Sequence, residues 1–515
     1  MKKIYGLLLL SLTLFVSCDN ELEPFTPGSL TEEVAITKSS DLTRLMNSGM
    51  NIMTNRAEYV FSSVFTDEAA MGFNNGGQGI RLEYVFLMLQ DDPTASAIWT
   101  SSYGAIARFN RVIEFSSSIV PASAADRQVI NRAKAEALVL RAACHLKVMS
   151  YFSPNPKDDS ALAGVLADRI ISTSDFPRRA TNGQFYASIH ADLDAAIAIY
   201  NSNTATAYAN KTIYASKTLA QALKARAYAL KGDYPSALTN ANLVINTPGL
   251  TLATTAAEYA AVFHTHNEAA GKEVIFRLKR ANVQNAQASN LHNGWASVRN
   301  TRNGSPFYEV SRALYNKFAE TPGDNRLAVN VFTTGTATTS SLIDPNYATA
   351  ADVKNSDILV LQKHGGQSAL TSANGFNPDF MVCRLSEMYF IRAEAKVAAG
   401  DLTGAANDLK VILDARFTTA QPAPVFASAQ AAWKGILDER RKELSFEGFR
   451  FIDLKRLGTL AGASLDRDAA DYASASWNIP GANPTNLALT SYKWALPVPQ
   501  VELNANGGIQ QNTGY

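Results

Sequence analysis
The chain has 515 residues, and 47 Lys+Arg against 46 Asp+Glu leave a formal net charge of +1. That balance, without a clustered basic face, argues against a nucleic-acid binder. An apolar fraction of 46% is ample for a large core, yet after residue 18 no stretch is apolar and long enough to span a bilayer.

The chain opens MKKIYGLLLLSLTLFVSCDN. Lys2 and Lys3 precede an apolar run that ends in Ser17-Cys18. A basic n-region, an h-region and a small residue at the cut predict a signal peptide over residues 1–17. The cysteine after the cut resembles the lipobox of bacterial lipoproteins, with Phe15 at the position where Leu is commonest and Leu14 beside it. The resemblance implies lipidation of Cys18. Each buried CH₂ contributes ~0.8 kcal/mol, so more than one acyl chain gives a firm outer-membrane anchor. Asp19, Glu21 and Glu23 follow, and acids there resemble the surface-export signal of Bacteroidetes lipoproteins, which points the body to the extracellular side. Residues 18–40, with Pro24, Pro27 and Gly28, form a polar tether, and residues 41–515 form one domain.

The first predicted helix runs over residues 41–55, with Leu42, Leu45 and Met46 on one face. MGFNNGGQGIRLEYVF follows, a surface loop punctuated by four glycines at 72, 76, 77 and 79. A second helix spans 95–118, with Trp99 on its periodic face. A third spans 122–152, with the face Ile130, Ala133, Ala137, Leu140, Ala143, Cys144 and Val148. Residues 215–245 and 384–413 share a pattern of helix, Gly-Asp turn and helix. Aligning Gly232 on Gly400 puts Ala225 on Ala393 and Ala237 on Ala405, small residues that let helices approach closely. Each unit resembles a tetratricopeptide hairpin, although the two are not in tandem. The expected fold is mainly α: a helical-hairpin scaffold with loop-rich insertions at about 246–383 and 458–515 and a few short strands, GKEVIFRLKR among them. Cys144 and Cys383 lie in apolar helical patterns and are expected as free thiols, although a disulfide between them is open.

The densest charges fall in ILDERRKELSFEGFRFIDLKRLG, residues 436–458. Glu439, Glu443 and Glu447 share a helix face among Arg440, Arg441 and Arg450. Arg forks pair carboxylates bidentately, so this motif is expected to clamp helices together, with Arg392 and Glu394 in a similar network. There is no phosphate-binding glycine loop, no HExxH and no Cys-x-x-Cys, so no catalytic residue, metal site or cofactor is assigned. His264 and His266, in FHTHNE, are read as a surface loop rather than a metal site. A scattered glycosidase carboxylate pair is the one catalytic arrangement this pattern leaves open.

The 436–458 motif and CRLSEMYFIRAEAKVAAGD before it resemble the C-terminal signature of the SusD/RagB family of outer-membrane nutrient-binding lipoproteins. WTSSYGAIARFNRVIE, LVLRAACHLKVMSYF, PRRATNGQFYASIHADLDAAI, GDNRL and the closing WALPVPQVELNANGGIQQNTGY are similar to other parts of that family. After Phe152 the chain departs from the family pattern with SPNPKDDSALAGVL. The resemblance implies a non-catalytic protein that captures oligosaccharide and acts as the lid of a SusC-like TonB-dependent outer-membrane transporter. Peptide capture, or a scaffold for a surface enzyme complex, are the alternatives. Sugar sites pair exposed aromatics with amides and Arg. Two loops have that composition: Phe73-Asn74-Asn75 with Arg81 and Tyr84, and His292-Asn293-Gly294-Trp295 with Arg302, Phe307 and Tyr308. The expected ligand residues are therefore Phe73, Asn74, Arg81, Tyr84, Asn293, Trp295, Phe307 and Tyr308. Trp99 and Trp433 are excluded as helix-face residues, and Trp477 and Trp494 belong to the closing structural pattern.

Overall fold
The computed structural model describes residues 35–72, 82–203, 211–265, 271–279, 307–333, 341–351, 353–364, 379–472 and 484–515. The principal helices are α1 (Ser39–Met53), α2 (Ala57–Phe65), α3 (Pro93–Ser118), α4 (Ala124–Phe152), α5 (Asn182–Ser202), α6 (Lys217–Lys231) and α7 (Tyr234–Ile245). Then come α8 (Ala256–His264), α9 (Arg312–Ala319), α10 (Asn325–Asn330), α11 (Leu385–Ala398), α12 (Leu402–Arg416), α13 (Ala429–Glu443) and α14 (Arg450–Ala461). Among the described residues six short strands form three antiparallel pairs: β1 (Ala69–Met71) with β5 (Tyr308–Val310), β2 (Leu162–Val165) with β3 (Arg179–Thr181), and β4 (Val274–Leu278) with β6 (Phe380–Arg384). The fold is mainly helical, as expected, but the 246–383 segment carries more regular structure than its composition announced. It holds α8, α9, α10 and three strands.

Local chemistry sets the helix ends. Asp92 precedes Pro93, and its carboxylate accepts from the Thr94 and Ala95 N–H groups. Thr181 and Gln184 form a reciprocal capping box on α5. The Gly-Asp turns do two jobs each. Gly232 and Gly400 adopt φ of +89° and +82° to end α6 and α11. Asp233 and Asp401 then cap α7 and α12 by accepting the Ser236 and Gly404 N–H groups.

The helices pack in series. From α3 to α7 each contacts the next, α7 then packs on α11, and α11 through α14 continue the row. The two hairpins that the sequence separates are therefore neighbours in space, with the insertion looped out between them. Ala225, Ala237, Ala393 and Ala405 are all fully buried in these contacts. The row closes on itself because α2 packs against both α3 and α14. Phe61 and Phe65 of α2 meet Phe451 of α14 edge-on at 5.1 and 5.4 Å. Tyr151 at the end of α4 stacks on the same ring.

Helix α4 is the axis of this arrangement. From Ala135 to Phe152 every residue except Ala143 and Lys147 is buried. A single buried face was expected; α3, α5 and α1 instead cover it from several sides. The tail seals its C-terminal end: the Leu496 N–H donates to the Tyr151 carbonyl, and the Asn512 amide to the Phe152 carbonyl. Cys144 and Cys383 are both buried free thiols. Trp99, Trp433 and Trp494 are buried packing residues, in line with their exclusion from the ligand set.

Candidate functional site
The charged motif lies in the interior. Glu443 accepts from Arg384 at 2.9 Å and from Arg416 at 2.9 and 2.8 Å. The same two arginines reach Glu273, at 2.6 and 2.8 Å. Glu447 takes Arg384 and Lys363, both at 2.7 Å. Arg326 bridges Asp324 and Glu439, and Arg450 holds Asp67 through both carboxylate oxygens. Burial alone raises these carboxyl pKa values, yet the facing guanidinium groups win and hold Asp67, Glu443 and Glu447 below the ordinary range. Glu68 is the exception: burial pushes it up to about 7, and among the described residues its donors are the Ser63 hydroxyl and the Phe446 N–H. Arg392 clamps α11 to α12 through Asp408, and Glu394 holds Arg456 of α14. These residues join elements and are closed to a ligand.

The candidate loops root elsewhere. In the β1–β5 ladder Met71 pairs with Tyr308, and the Gly72 N–H donates to the Phe307 carbonyl at 2.9 Å. Residues 73 and 306 are the next positions along each chain, so the two loops chosen by composition leave one end of one ladder. Phe73, Asn74, Arg81, Asn293, Trp295 and Arg302 lie outside the described residues, as do Cys18, Trp477 and His266. A second ladder contributes to the same insertion. Leu278 pairs with Phe380, so segments 280–306 and 365–378 are tied to one end of β4–β6.

Tyr84 and Tyr308 were expected to face a ligand; in the structure both are fully buried. They belong to a second core with Val60, Val64, Met71, Leu314, Phe318, Leu361 and Tyr472. Tyr84 packs on Tyr472 at 5.1 Å and under the Arg467 guanidinium at 4.4 Å. Phe307 is half-buried and lies 4.5 Å from the Tyr308 ring. These aromatics pack in one cluster with Met71 and Val310 and form a floor to the β1–β5 ladder. Arg467 ties that floor together. It donates to the Val64, Phe65 and Thr66 carbonyls at 3.0, 2.8 and 2.8 Å, and to the Tyr84 carbonyl and the Tyr472 hydroxyl. Sequence reasoning missed Arg467 and Tyr472, since neither belongs to a periodic stripe or a motif.

His264 closes α8. An interior cavity of about 100 Å³ lies between α2, α4, α6 and α11. Its walls carry the Lys147–Glu58 and Arg226–Glu387 ion pairs. It is smaller than the ~300 Å³ at which ligand sites begin. No described helix is long and apolar enough to cross a membrane.

Two family models match this chain: the SusD family over residues 272–515, and a model described as starch-binding and associating with the outer membrane over residues 32–229. SusD-like protein P2 of Formosa agariphila is 25% identical over 543 residues, covering the whole of both chains. Among solved structures, a SusD superfamily protein of Bacteroides thetaiotaomicron matches with a TM-score of 0.74 at 23% identity, covering 92% of this chain and 100% of that one. A protein described as a laminarin-binding SusD-like protein matches with a TM-score of 0.66 at 21% identity, covering 93% and 100%. Together the two models span residues 32–229 and 272–515, and the chain belongs to the SusD family.

Proposed function
We propose that this chain is a surface lipoprotein, anchored through Cys18, that captures an oligosaccharide on the loops around 73–81 and 281–306 and delivers it, as a lid, to a SusC-like TonB-dependent outer-membrane transporter. The observation that carries the site is the common root of those loops at Gly72 and Phe307. Between them they supply Phe73, Asn74, Arg81, Asn293 and Trp295, the ring faces and amides that a sugar requires. The buried aromatics pack against the ladder in which both loops are rooted. One family description that names starch, and a structural relative described as laminarin-binding, agree with a glycan ligand. Net charge near zero agrees with a neutral one.

The test is a glycan array followed by calorimetry on wild type and Trp295→Ala. Stacking of one ring is worth about 0.5–1.5 kcal/mol, so the variant is expected to bind several-fold to tenfold more weakly. Unchanged affinity removes Trp295 from the site, and binding of casein-digest peptides with no glycan bound favours peptide capture. Cys18→Ser is expected to abolish labelling by a radioactive fatty acid and release the protein from membranes. Co-purification from the membrane is expected to recover a large β-barrel transporter; an enzyme in its place favours the scaffold alternative.

A further inference from the structure
A groove of about 300 Å³ lies between the middle of α3, the loop Ile170–Pro177 and the short helix Gln500–Ala505. It shares no residue with the β1–β5 ladder or the loops rooted there. One wall is apolar, made by Ile106, Ile171 and Phe176, and Phe176 is 62% exposed although it belongs to an ordered turn. That turn is fixed by the Asp175 N–H donating to the Ser172 carbonyl and by the Arg169–Asp175 ion pair at 2.8 Å.

The facing wall is built of hydrogen-bond acceptors. Glu502 accepts from the Trp99 indole at 3.2 Å and from the Asn506 amide at 3.4 Å. The Asn506 amide also donates to the Pro177 carbonyl at 2.8 Å. A carbonyl only accepts, so this bond fixes which way the amide points. Asn506 is 6% exposed, lines the groove, and its Oδ1 has no partner among the described residues. Asp175 is engaged by Arg169, and Arg111 gives one Nη–H to the Ala107 carbonyl. Glu502 has no ion pair among the described residues, and its negative charge disfavours an anion beside it.

We infer that this groove is a second binding pocket, separate from the loop site, for a single neutral sugar ring or ring-sized polyol. Hydroxyls donate to Glu502, and the C–H face of the ring lies against Phe176. The volume is at the lower end of small-molecule sites and admits one ring, not a chain. The inference is independent of the ligand held by the loops.

The test is saturation-transfer NMR on the full chain with D-glucose, D-galactose, D-xylose, L-rhamnose and D-glucuronate, each at about 20 mM because single-ring affinities are near millimolar. At least one neutral sugar is expected to receive transfer, and glucuronate none. Phe176→Ala, an exposed substitution whose folding is checked by circular dichroism, is expected to weaken binding about two- to twelvefold, the size of one lost ring contact. Trp295→Ala is expected to leave the signal intact. The pocket is overturned if no neutral sugar receives transfer, if glucuronate alone does, if Phe176→Ala binds as wild type, or if Trp295→Ala abolishes the signal.

Discussion

At the residue scale, two kinds of buried charge behave differently. Arg384 donates to Glu273, Glu443 and Glu447, so removing it strips donors from three buried carboxylates at once. Arg384→Met is expected to cost on the order of 3–5 kcal/mol, read from urea unfolding at neutral pH, because breaking a buried pair leaves uncompensated charge. Glu68 has the opposite sign. Its folded pKa of about 7 lies above the ordinary 4.5, so between those values the folded state holds a proton that the unfolded chain has lost. Its contribution is full below about pH 4.5 and is lost as pH rises through 7. Glu68→Gln keeps an acceptor for Ser63 and Phe446 but cannot ionise. The variant is therefore expected to gain on wild type by up to roughly 3 kcal/mol between pH 5 and 8, measured as the difference between their unfolding curves. Parallel curves across that range would show that Glu68 does not titrate there.

At the element scale, the Gly-Asp turn is the recurrent device. Gly400 holds a positive φ with open space around its Cα, so Gly400→Ala meets no neighbour and pays only for backbone strain. A loss of about 1 kcal/mol is expected in thermal unfolding. Asp401→Ala removes the cap from the Gly404 N–H and is expected to lose a further ~1 kcal/mol. Both residues were visible in the sequence because their roles depend on backbone geometry a few residues away. Helix α4 shows the limit of such local patterns. Its sequence marks one apolar face, and Arg141 and Glu136 look like surface residues. Both are buried, Arg141 against Asp192 at 2.5 Å and Glu136 beside Arg132 at 3.0 Å, because neighbouring helices enclose it. A charge that meets its partner only in the folded chain looks exposed in a one-dimensional pattern.

At the scale of the whole molecule, the ends of the chain are joined through α2 and α14. Asp67 follows α2 and is held by Arg441 and Arg450 from the C-terminal motif, and Arg467 grips the same turn. Truncation after Glu447 removes Phe451 and Trp494 from the aromatic cluster around Phe61, Phe65 and Tyr151. The truncated chain is expected to be insoluble or to lose near-ultraviolet circular dichroism, and a soluble, native-like product would contradict this coupling. The hairpin row supplies a stiff body, and the β1–β5 ladder carries the candidate loops on a floor of packed rings.

The helical scaffold, the two Gly-Asp hairpins and the framework role of the 436–458 charges are legible in the chain alone. Each of these depends on residue type and short-range spacing. Folding adds that the hairpins are neighbours, that α4 is enclosed, and that the two loops share a root at Gly72 and Phe307. It also turned Tyr84 and Tyr308 from expected ligand contacts into buried floor. An aromatic beside a polar loop looks the same in sequence whether it faces solvent or its own core. Which face is covered depends on elements hundreds of residues away, here Arg467 and Tyr472, and no local pattern records them.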